Sequence, residues 1–329
     1  KEGPNLIFRG YVSELTHVLE GLDPETVPEG QRADYLLLLA KCLTVAGAWD
    51  RAIDAFRSAE AAGEATDNTL VTSEAHRELG HLTRHRGESE ASIAHYRKAL
   101  ELSQGIDDMA GIADAYRGLG EIYGRRGEFD KALEQHEKSV RFSVKAQARH
   151  ILAKTYIDMG TIKCNMGDLE MAAEYHRKAL DILEEFGNLQ DKAKVSRNLG
   201  VVLARKDDLD AALIYFDEAI GLSESVGDLQ GMGYALASAG AVHTLRASPD
   251  IAGEYLDEAL DIFRRLGMND KAASVYLTKS ELSRMEEDLP GSEELATRAL
   301  MIFQDAGDSY NTARAHRQLA LTYMDMEEG

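Results

Sequence analysis

The chain has 329 residues, of which 44% are apolar and 29% charged, and its formal net charge at pH 7 is −20. This acidic balance disfavours DNA, RNA and anionic membranes as partners of the whole surface, because like charges repel. No apolar stretch approaches the roughly 20 residues of a membrane span, and no secretory signal is visible.

Glycine recurs at positions 80, 120, 160, 200 and 240, at a constant spacing of 40, inside runs that otherwise have helical periodicity. A glycine in a helix interior costs about 1 kcal/mol relative to alanine. Its regular recurrence indicates that another helix passes too close to leave room for a Cβ atom. The chain is therefore predicted to be a stack of similar helical units.

In chain order, we predict an unpaired helix over residues 5 to 20, within an N-terminal segment 1–30. Seven tandem helix pairs follow over 31–308. Residues 309–329 are predicted as the first helix of an eighth, truncated pair, and we expect the chain to be part of a longer protein. The whole is interpreted as one continuous domain of about sixteen helices, since each unit of such a stack contacts only its neighbours.

Residues 189 to 226 illustrate one pair. Val195, Leu199 and Val202 follow helical spacing. The run 206–208 ends that helix, and a second apolar stripe passes through Tyr215 and Phe216. Turn residues recur at two further positions of the period, which are Gly47, Gly87, Gly127, Gly167 and Asp207, and then Gly187, Gly227, Gly267 and Gly307.

Some units depart from this pattern. Alanine stands at 40 and 320 where glycine is expected, and Ala239 replaces the preceding leucine. Lys279 and Ser280 replace Leu-Gly in the seventh pair, so Lys279 must extend outward or meet a carboxylate. The segment 141–148 lacks a Gly-Asp turn and is expected to be a longer or differently kinked helix.

The sequence RNLGVVLARKDDLDAALIYFDEAI over 197–220, and its counterparts every 40 residues, resemble tetratricopeptide repeats. The resemblance covers about residues 31 to 327 and is closest to the long variety of kinesin light chain and spindle-orientation scaffolds. It implies an all-α, right-handed superhelical solenoid whose first helices line a concave groove that binds peptides.

The same resemblance assigns groove-facing positions on each first helix. Over eight helices these positions hold twelve basic and six acidic residues, against 37 and 57 in the whole chain. The predicted peptide-binding residues are Arg77, His81, Arg117, Lys154, Lys194, Arg197, Asn198, Arg205, Arg314 and Arg317. Arg77, Arg117, Lys194 and Arg197 are expected to be the main contacts with an acidic partner.

Two alternatives stay open for these basic residues. Arg205 lies near a helix C-terminus, where a cation offsets the helix dipole by about 0.3–1 kcal/mol. Another explanation covers the mid-helix residues Arg77, Arg117, Arg197 and Arg317. It is a local ion pair with a neighbouring carboxylate, such as Glu74, Glu78 or Asp114. Asn198 matches an asparagine that related scaffolds use to hold peptide backbone, but it occurs once.

No catalytic, cofactor or metal motif emerges. His81 and His85 lie on one helix face without the glutamate motif of a zinc protease, and we interpret them as groove residues. His136 and His176 are interpreted as packed substitutes for an aromatic residue. Cys42 and Cys164 lie three repeats apart, which argues against a disulfide and favours a cytoplasmic protein.

Two functions are therefore weighed. The first is a protein-interaction scaffold that binds an acidic, extended or helical segment. The second is a peptide-sensing regulatory arm of a larger signalling protein, such as a signalling ATPase or a phosphatase-type regulator. An enzymatic function finds no support in the residues.

Overall fold

The computed structural model describes residues 12–186 and 188–328. Within them the chain forms sixteen α-helices, a short 3-10 helix over Pro24–Thr26, and no strand. Residues 5 to 11 of the predicted first helix, and Gly187 of the predicted turns, lie outside the described residues.

After the leading helix α1 (Val12–Glu20), first and second helices alternate along the chain. The first helices are α2 (Glu29–Val45), α4 (Thr69–His85), α6 (Met109–Arg125), α8 (Arg149–Asn165), α10 (Leu189–Arg205), α12 (Leu229–Leu245), α14 (Asn269–Met285) and α16 (Ser309–Glu328). The second helices are α3 (Trp49–Ala65), α5 (Ser89–Gly105), α7 (Phe129–Ala146), α9 (Leu169–Phe186), α11 (Leu209–Val226), α13 (Pro249–Arg265) and α15 (Leu289–Asp305).

The helices keep the 40-residue register throughout, since successive first helices begin at 29, 69, 109 and so on to 309. Pro249 is the first residue of α13, a position where its missing N–H costs nothing. The predicted fold class, an all-α superhelical solenoid of helix pairs, is confirmed.

The recurrent glycines lie where a second helix passes closest to the first. A Cβ atom added at Gly120 would lie 2.6 Å from the ring of His136, and one at Gly200 would lie 2.6 Å from the ring of Phe216. Both distances are shorter than real Cβ contacts, so a large side chain on the second helix takes the room that glycine leaves. The prediction of close contacts at these two glycines is confirmed.

From the turn between α2 and α3 onward, each turn that the structure fully describes contains a residue in the left-handed region of φ. Glycine supplies it at Gly47, Gly87, Gly127, Gly167, Gly227, Gly267 and Gly307. Other residues take the same conformation elsewhere, among them Gln147 (φ 52°), Ala247 (φ 53°) and Glu287 (φ 64°). Gln147 lets α8 begin in register at Arg149, so the expected irregularity at 141–148 is not met.

The chain divides into two compact units, residues 1–162 and 163–329. In the first, the core includes Phe56, Leu79 and Leu82. In the second, Leu256, Phe263 and Phe303 are fully buried between successive helices. The seven-pair division within 31–308 stays a prediction.

Lys279 stands where a buried leucine was expected, and it reaches a carboxylate. Its side chain is 22% exposed and forms an ion pair with Asp257 on α13. The next residue, Ser280, donates its hydroxyl hydrogen to the carbonyl of Ser292 at 2.8 Å. The polar substitutions of the seventh pair are thus each satisfied.

Among residues 12–186 and 188–328, every helix is too short or too polar to span a lipid bilayer. Cys42 and Cys164 are both free and buried.

Candidate functional site: charged residues of the first helices

The ten predicted groove residues are all on first helices, four in the first unit and six in the second. Arg77 and His81 are on α4, Arg117 is on α6 and Lys154 on α8. In the second unit, α10 carries Lys194, Arg197, Asn198 and Arg205, and α16 carries Arg314 and Arg317. The two groups differ in what surrounds their charges.

In the first unit, Arg117 is the centre of an ion-pair network. Its guanidinium lies 3.0 Å from Asp114, 3.0 Å from Glu121 and 3.6 Å from Asp158, and its side chain is only 14% exposed. Burial by itself lowers the pKa of Arg117, but the three carboxylates outweigh it and raise the pKa well above its usual value. This arginine is neutralised within the chain.

Arg77 belongs to the same network through a shared carboxylate. Its guanidinium is 3.5 Å from Asp108 and 3.7 Å from Asp114. Although burial raises the pKa of Asp114, Arg117 and Arg77 together bring it below its usual value. The intramolecular alternative weighed for Arg77 and Arg117 is therefore present in the structure.

Three further carboxylates lie near these arginines but stand outside the positions used in the charge count. Asp108 and Asp158 are partners of Arg77 and Arg117, as described above. Glu78 is half-buried, and burial with the nearby charge of Asp114 raises its pKa. The family positions used in the count omit these residues, so the twelve-to-six ratio overstates the basic character of the first unit.

His81 and His85 face each other as their spacing predicts. Their rings are 4.6 Å apart and edge-on, with 3.3 Å between the two Nε2 atoms. Burial, then the charge of Arg84, lowers the pKa of His81 to about 4. Within the described residues no group of three or more histidine, cysteine or acidic side chains is placed to hold a metal ion.

The second unit has a pocket of about 410 Å³ between α10 and α12. The residues of its wall that matter for binding are Asp191, Lys194, Arg197, Ser223, Asp228 and Tyr234. It thus joins the first helices of two consecutive pairs, with Ser223 contributed by the second helix α11.

Arg197 lines this pocket without a carboxylate partner. Its guanidinium lies 5.1 Å from the centre of the Tyr234 ring, and it donates to the side-chain oxygen of Asn198 at 3.1 Å. Burial lowers the pKa of Arg197, with a smaller opposing effect of Tyr234 and Asp228. Across the described chain, no carboxylate oxygen lies within 4.0 Å of the side-chain nitrogens of Arg197 or Lys194.

The repeat register explains the difference between the two arginines. Arg117 and Arg197 occupy the same position, two repeats apart. The three carboxylates that pair with Arg117 are Asp114, Glu121 and Asp158, and their counterparts 80 residues later are Lys194, Val201 and Ser238. Of the two partners of Arg77, Asp114 corresponds to Tyr234, 120 residues later, whereas Asp108 corresponds to Asp228, which lines the same pocket as Arg197. Substitution has thus replaced the carboxylates that pair with Arg117, while Asp228 and Asp191 remain in the pocket wall without an ion pair to Arg197 among the described residues.

The remaining predicted residues differ in environment. Arg205 donates to the Cys164 carbonyl oxygen at 2.6 Å and to its sulfur at 3.0 Å. The Arg314 guanidinium donates to Asn311 at 3.1 Å. Lys154 and Arg317 are exposed. Tyr234 stands at the same groove position as Lys194, one repeat later, and was missed because only charged residues were counted there. Asp228 was missed because it is the N-cap before α12 and not one of the groove positions.

The comparisons with known proteins concern the fold. The family model described as the MalT-like TPR region matches residues 16–215. No curated protein matches the chain.

Among solved structures, a Rap protein complexed with competence and sporulation factor is 15% identical (TM-score 0.65), and the alignment covers 99% of this chain and 97% of that one. The signal transduction ATPase with a tetratricopeptide repeat sensor from Pyrococcus horikoshii is 14% identical (TM-score 0.66), over 100% of this chain and 54% of that one. BtubC from P. vanneervenii is 23% identical (TM-score 0.56), and the alignment covers 68% of this chain and 90% of that one.

At these identities the structural likeness shows the fold alone, and the similarity to kinesin light chain stays a prediction. The family model, in contrast, matches more than half of the chain. The chain therefore belongs to the tetratricopeptide repeat proteins, with a MalT-like repeat region.

Proposed function

We propose that the chain is a protein-interaction module that binds an acidic, extended segment of a partner protein along its first helices. The observation that carries the proposal is the pocket of the second unit, where Lys194 and Arg197 have no carboxylate partner among the described residues. Lys194 is exposed, whereas Arg197 is half-buried. The half-buried guanidinium attracts a carboxylate more strongly than an exposed cation does, because less water screens its charge.

The proposal gives the four expected main contacts different roles. Arg77 and Arg117 are held by Asp108, Asp114, Glu121 and Asp158, so a ligand carboxylate would have to compete with internal ones. Lys194 and Arg197 have no such competition. The anionic group of the partner is therefore assigned to the second unit.

A matched pair of lysines on α10 tests this. Lys194 lines the pocket, whereas Lys192 forms ion pairs with Glu218 and Glu184 at 3.3 and 3.7 Å. An acidic peptide library is bound to the wild type, Lys194→Gln and Lys192→Gln. We expect Lys194→Gln to weaken binding of the acidic peptides, Lys192→Gln to leave it nearly unchanged, and added salt to weaken binding to the wild type. A ligand set rich in lysine and arginine, or equal effects of both variants, would refute the proposal.

The alternative is a peptide-sensing regulatory arm. Two structures of the same fold support it by their descriptions: the Pyrococcus horikoshii ATPase has a tetratricopeptide repeat sensor, and the Rap protein is complexed with competence and sporulation factor. Hydrogen exchange measured with and without an acidic peptide distinguishes the interaction scaffold from the regulatory arm. Protection confined to α10–α12 favours a scaffold, whereas changes across the second unit favour a sensor.

A further inference from the structure

The pocket of the second unit contains charges of both signs that do not neutralise one another. Lys194 and Arg197 supply two cations, and Asp191 and Asp228 supply two carboxylates. Although all four line one cavity of about 410 Å³, no ion pair within 4.0 Å joins them in the described chain. A ligand that carries only negative charge would meet the aspartates as well as the cations.

In each aspartate, one carboxylate oxygen accepts a hydrogen bond from within the protein. Oδ1 of Asp228 accepts the main-chain N–H of Gly231 at 2.9 Å, which caps the start of α12. Oδ2 of Asp191 accepts from the side-chain amide of Asn188 at 2.8 Å. The second oxygen of each carboxylate accepts no hydrogen bond within the described residues, and it is available to an N–H donor of a ligand.

The opposite wall suits a planar carboxylate. The Arg197 guanidinium is held by two contacts, since its carbon lies over the Tyr234 ring, 5.1 Å from the ring centre, and one nitrogen donates to Asn198 at 3.1 Å. Hydrogen-bond donors in a fixed plane match the two oxygens of a carboxylate. A dianionic phosphate fits less well, because two aspartates line the same cavity.

We propose that this pocket binds a carboxylate that has an N–H donor a few ångströms away, through Arg197 and Lys194 on one side and Asp228 and Asp191 on the other. Two ligands have this chemistry: an acidic residue within a peptide, by its side chain and main-chain N–H, and a free acidic amino acid. The assignment deepens the proposed function and rests on it for the peptide source.

Four small ligands test the assignment by calorimetry on the whole chain. N-acetylglutamate N-methylamide represents a residue within a peptide, free glutamate the amino acid, butyrate a carboxylate without an N–H, and inorganic phosphate a dianion. We expect the blocked or the free glutamate to bind, the tighter of the two to identify the source, and butyrate and phosphate to bind at least about tenfold more weakly. Butyrate or phosphate binding as tightly, or no binding of either glutamate ligand, would overturn the assignment.

Two variants and one control locate the site. Arg197→Gln and Asp228→Asn are each expected to weaken glutamate-ligand binding about tenfold, because each removes a charge-assisted contact. Asparagine is as good a helix N-cap as aspartate, so α12 keeps its cap in Asp228→Asn. The control is Asp108→Asn, the same change at the equivalent cap 120 residues earlier, where Asp108 accepts from Gly111 at 3.0 Å. Unchanged affinity in Asp228→Asn, or an equal loss in Asp108→Asn, would overturn the proposal.

Different results would refute the pocket assignment and the proposed interaction function. If an acidic peptide binds the wild type and Arg197→Gln equally, the pocket assignment is wrong and the interaction function stands. If the glutamate ligands bind as expected but no acidic peptide does, the pocket stands and the interaction function is wrong.

Discussion

One position of the repeat carries an arginine at residues 77, 117, 197 and 317, and the side chains around it determine the role of each arginine. Around Arg117 three carboxylates neutralise the guanidinium, whereas Arg197 rests against Tyr234. The same side chain thus stabilises the fold in one repeat and offers a charge to a ligand in another.

This difference predicts unequal effects of the same substitution. Arg117→Met leaves Asp114, Glu121 and Asp158 with one cation fewer in a poorly solvated site, so we expect it to lower the free energy of unfolding by about 3 kcal/mol. Arg197→Met strands no ion-paired carboxylate and should cost less than about 1 kcal/mol. Urea denaturation of the two variants measures both effects, and equal losses would contradict the division of roles.

Glycines at the contact between paired helices predict a second difference in stability, between two glycine-to-alanine substitutions. Gly200→Ala brings a Cβ atom to 2.6 Å from the Phe216 ring, so we expect a loss of about 1–3 kcal/mol from overpacking. Gly221 is also helical, in α11, but a Cβ atom there would meet nothing within 4 Å. Gly221→Ala should therefore stabilise the protein by about 0.5–1 kcal/mol. Thermal unfolding compares the two, and a neutral Gly200→Ala would show that the glycine is incidental.

At the level of the helix pair, a buried histidine between the two helices makes the stability of the protein depend on pH. His136 is fully buried against Gly120, and neither of its ring nitrogens has a hydrogen-bond partner among the described residues. Burial lowers its pKa to about 4, whereas the nearby Glu121 and Arg117 have smaller, opposing effects. The ring is therefore packed as a neutral aromatic group, as the sequence predicted.

The sign of the effect follows from proton linkage. Because an unfolded histidine titrates near pH 6.5, the unfolded chain binds more protons than the folded one between about pH 6.5 and 4. The stability that neutral His136 contributes is full above that range and is lost as the pH falls through it. In His136→Phe, which copies Phe216 two repeats later, denaturation midpoints at pH 7 and pH 5 should differ less than in the wild type. An unchanged pH dependence would contradict this origin.

The turns between helices predict a stabilising change. Ala247 has φ 53°, in a region that costs a non-glycine residue about 1 kcal/mol. Ala247→Gly should raise the free energy of unfolding by about 1 kcal/mol, since Gly47 and Gly127 already occupy the equivalent turns. The reverse change, Gly267→Ala, should lower it by a similar amount. If urea denaturation shows no effect of either substitution, the left-handed conformation of these turn residues does not affect the free energy of unfolding.

At the scale of the whole molecule, the helix pairs of the second unit differ in the polarity of the contact between their two helices. In the fifth pair Gly200 faces the large ring of Phe216, whereas in the seventh pair Ser280 and Ser292 exchange hydroxyl hydrogen bonds and Ala296 occupies the repeat position of Phe216. Lys279 also stands in place of a buried leucine and is paired with a carboxylate that is 65% exposed, so we expect residues 269–306 to open more often than 189–226. Hydrogen exchange followed by mass spectrometry tests this. Equal protection of the two segments would contradict it.

Much of the fold could be predicted from the sequence because its determinants are local. Helical periodicity, turn residues and a glycine every 40 residues each act over a few neighbouring positions, and they gave sixteen helices in register. Lys194 and Arg197 were predicted as binding residues on a different basis, the groove positions that the resemblance to tetratricopeptide repeats implies. The charge count for the first unit was less accurate, because it omitted Glu78, Asp108 and Asp158.

The sequence by itself determined which residues share a helix face, since this depends only on 3.6 residues per turn. Only the tertiary structure decided which cations are free, because that depends on distances between side chains of different helices. Asp158 on α8 neutralises Arg117 on α6, and Tyr234 on α12 covers Arg197 on α10. An ion pair needs its atoms within about 4 Å, and no local pattern fixes that separation.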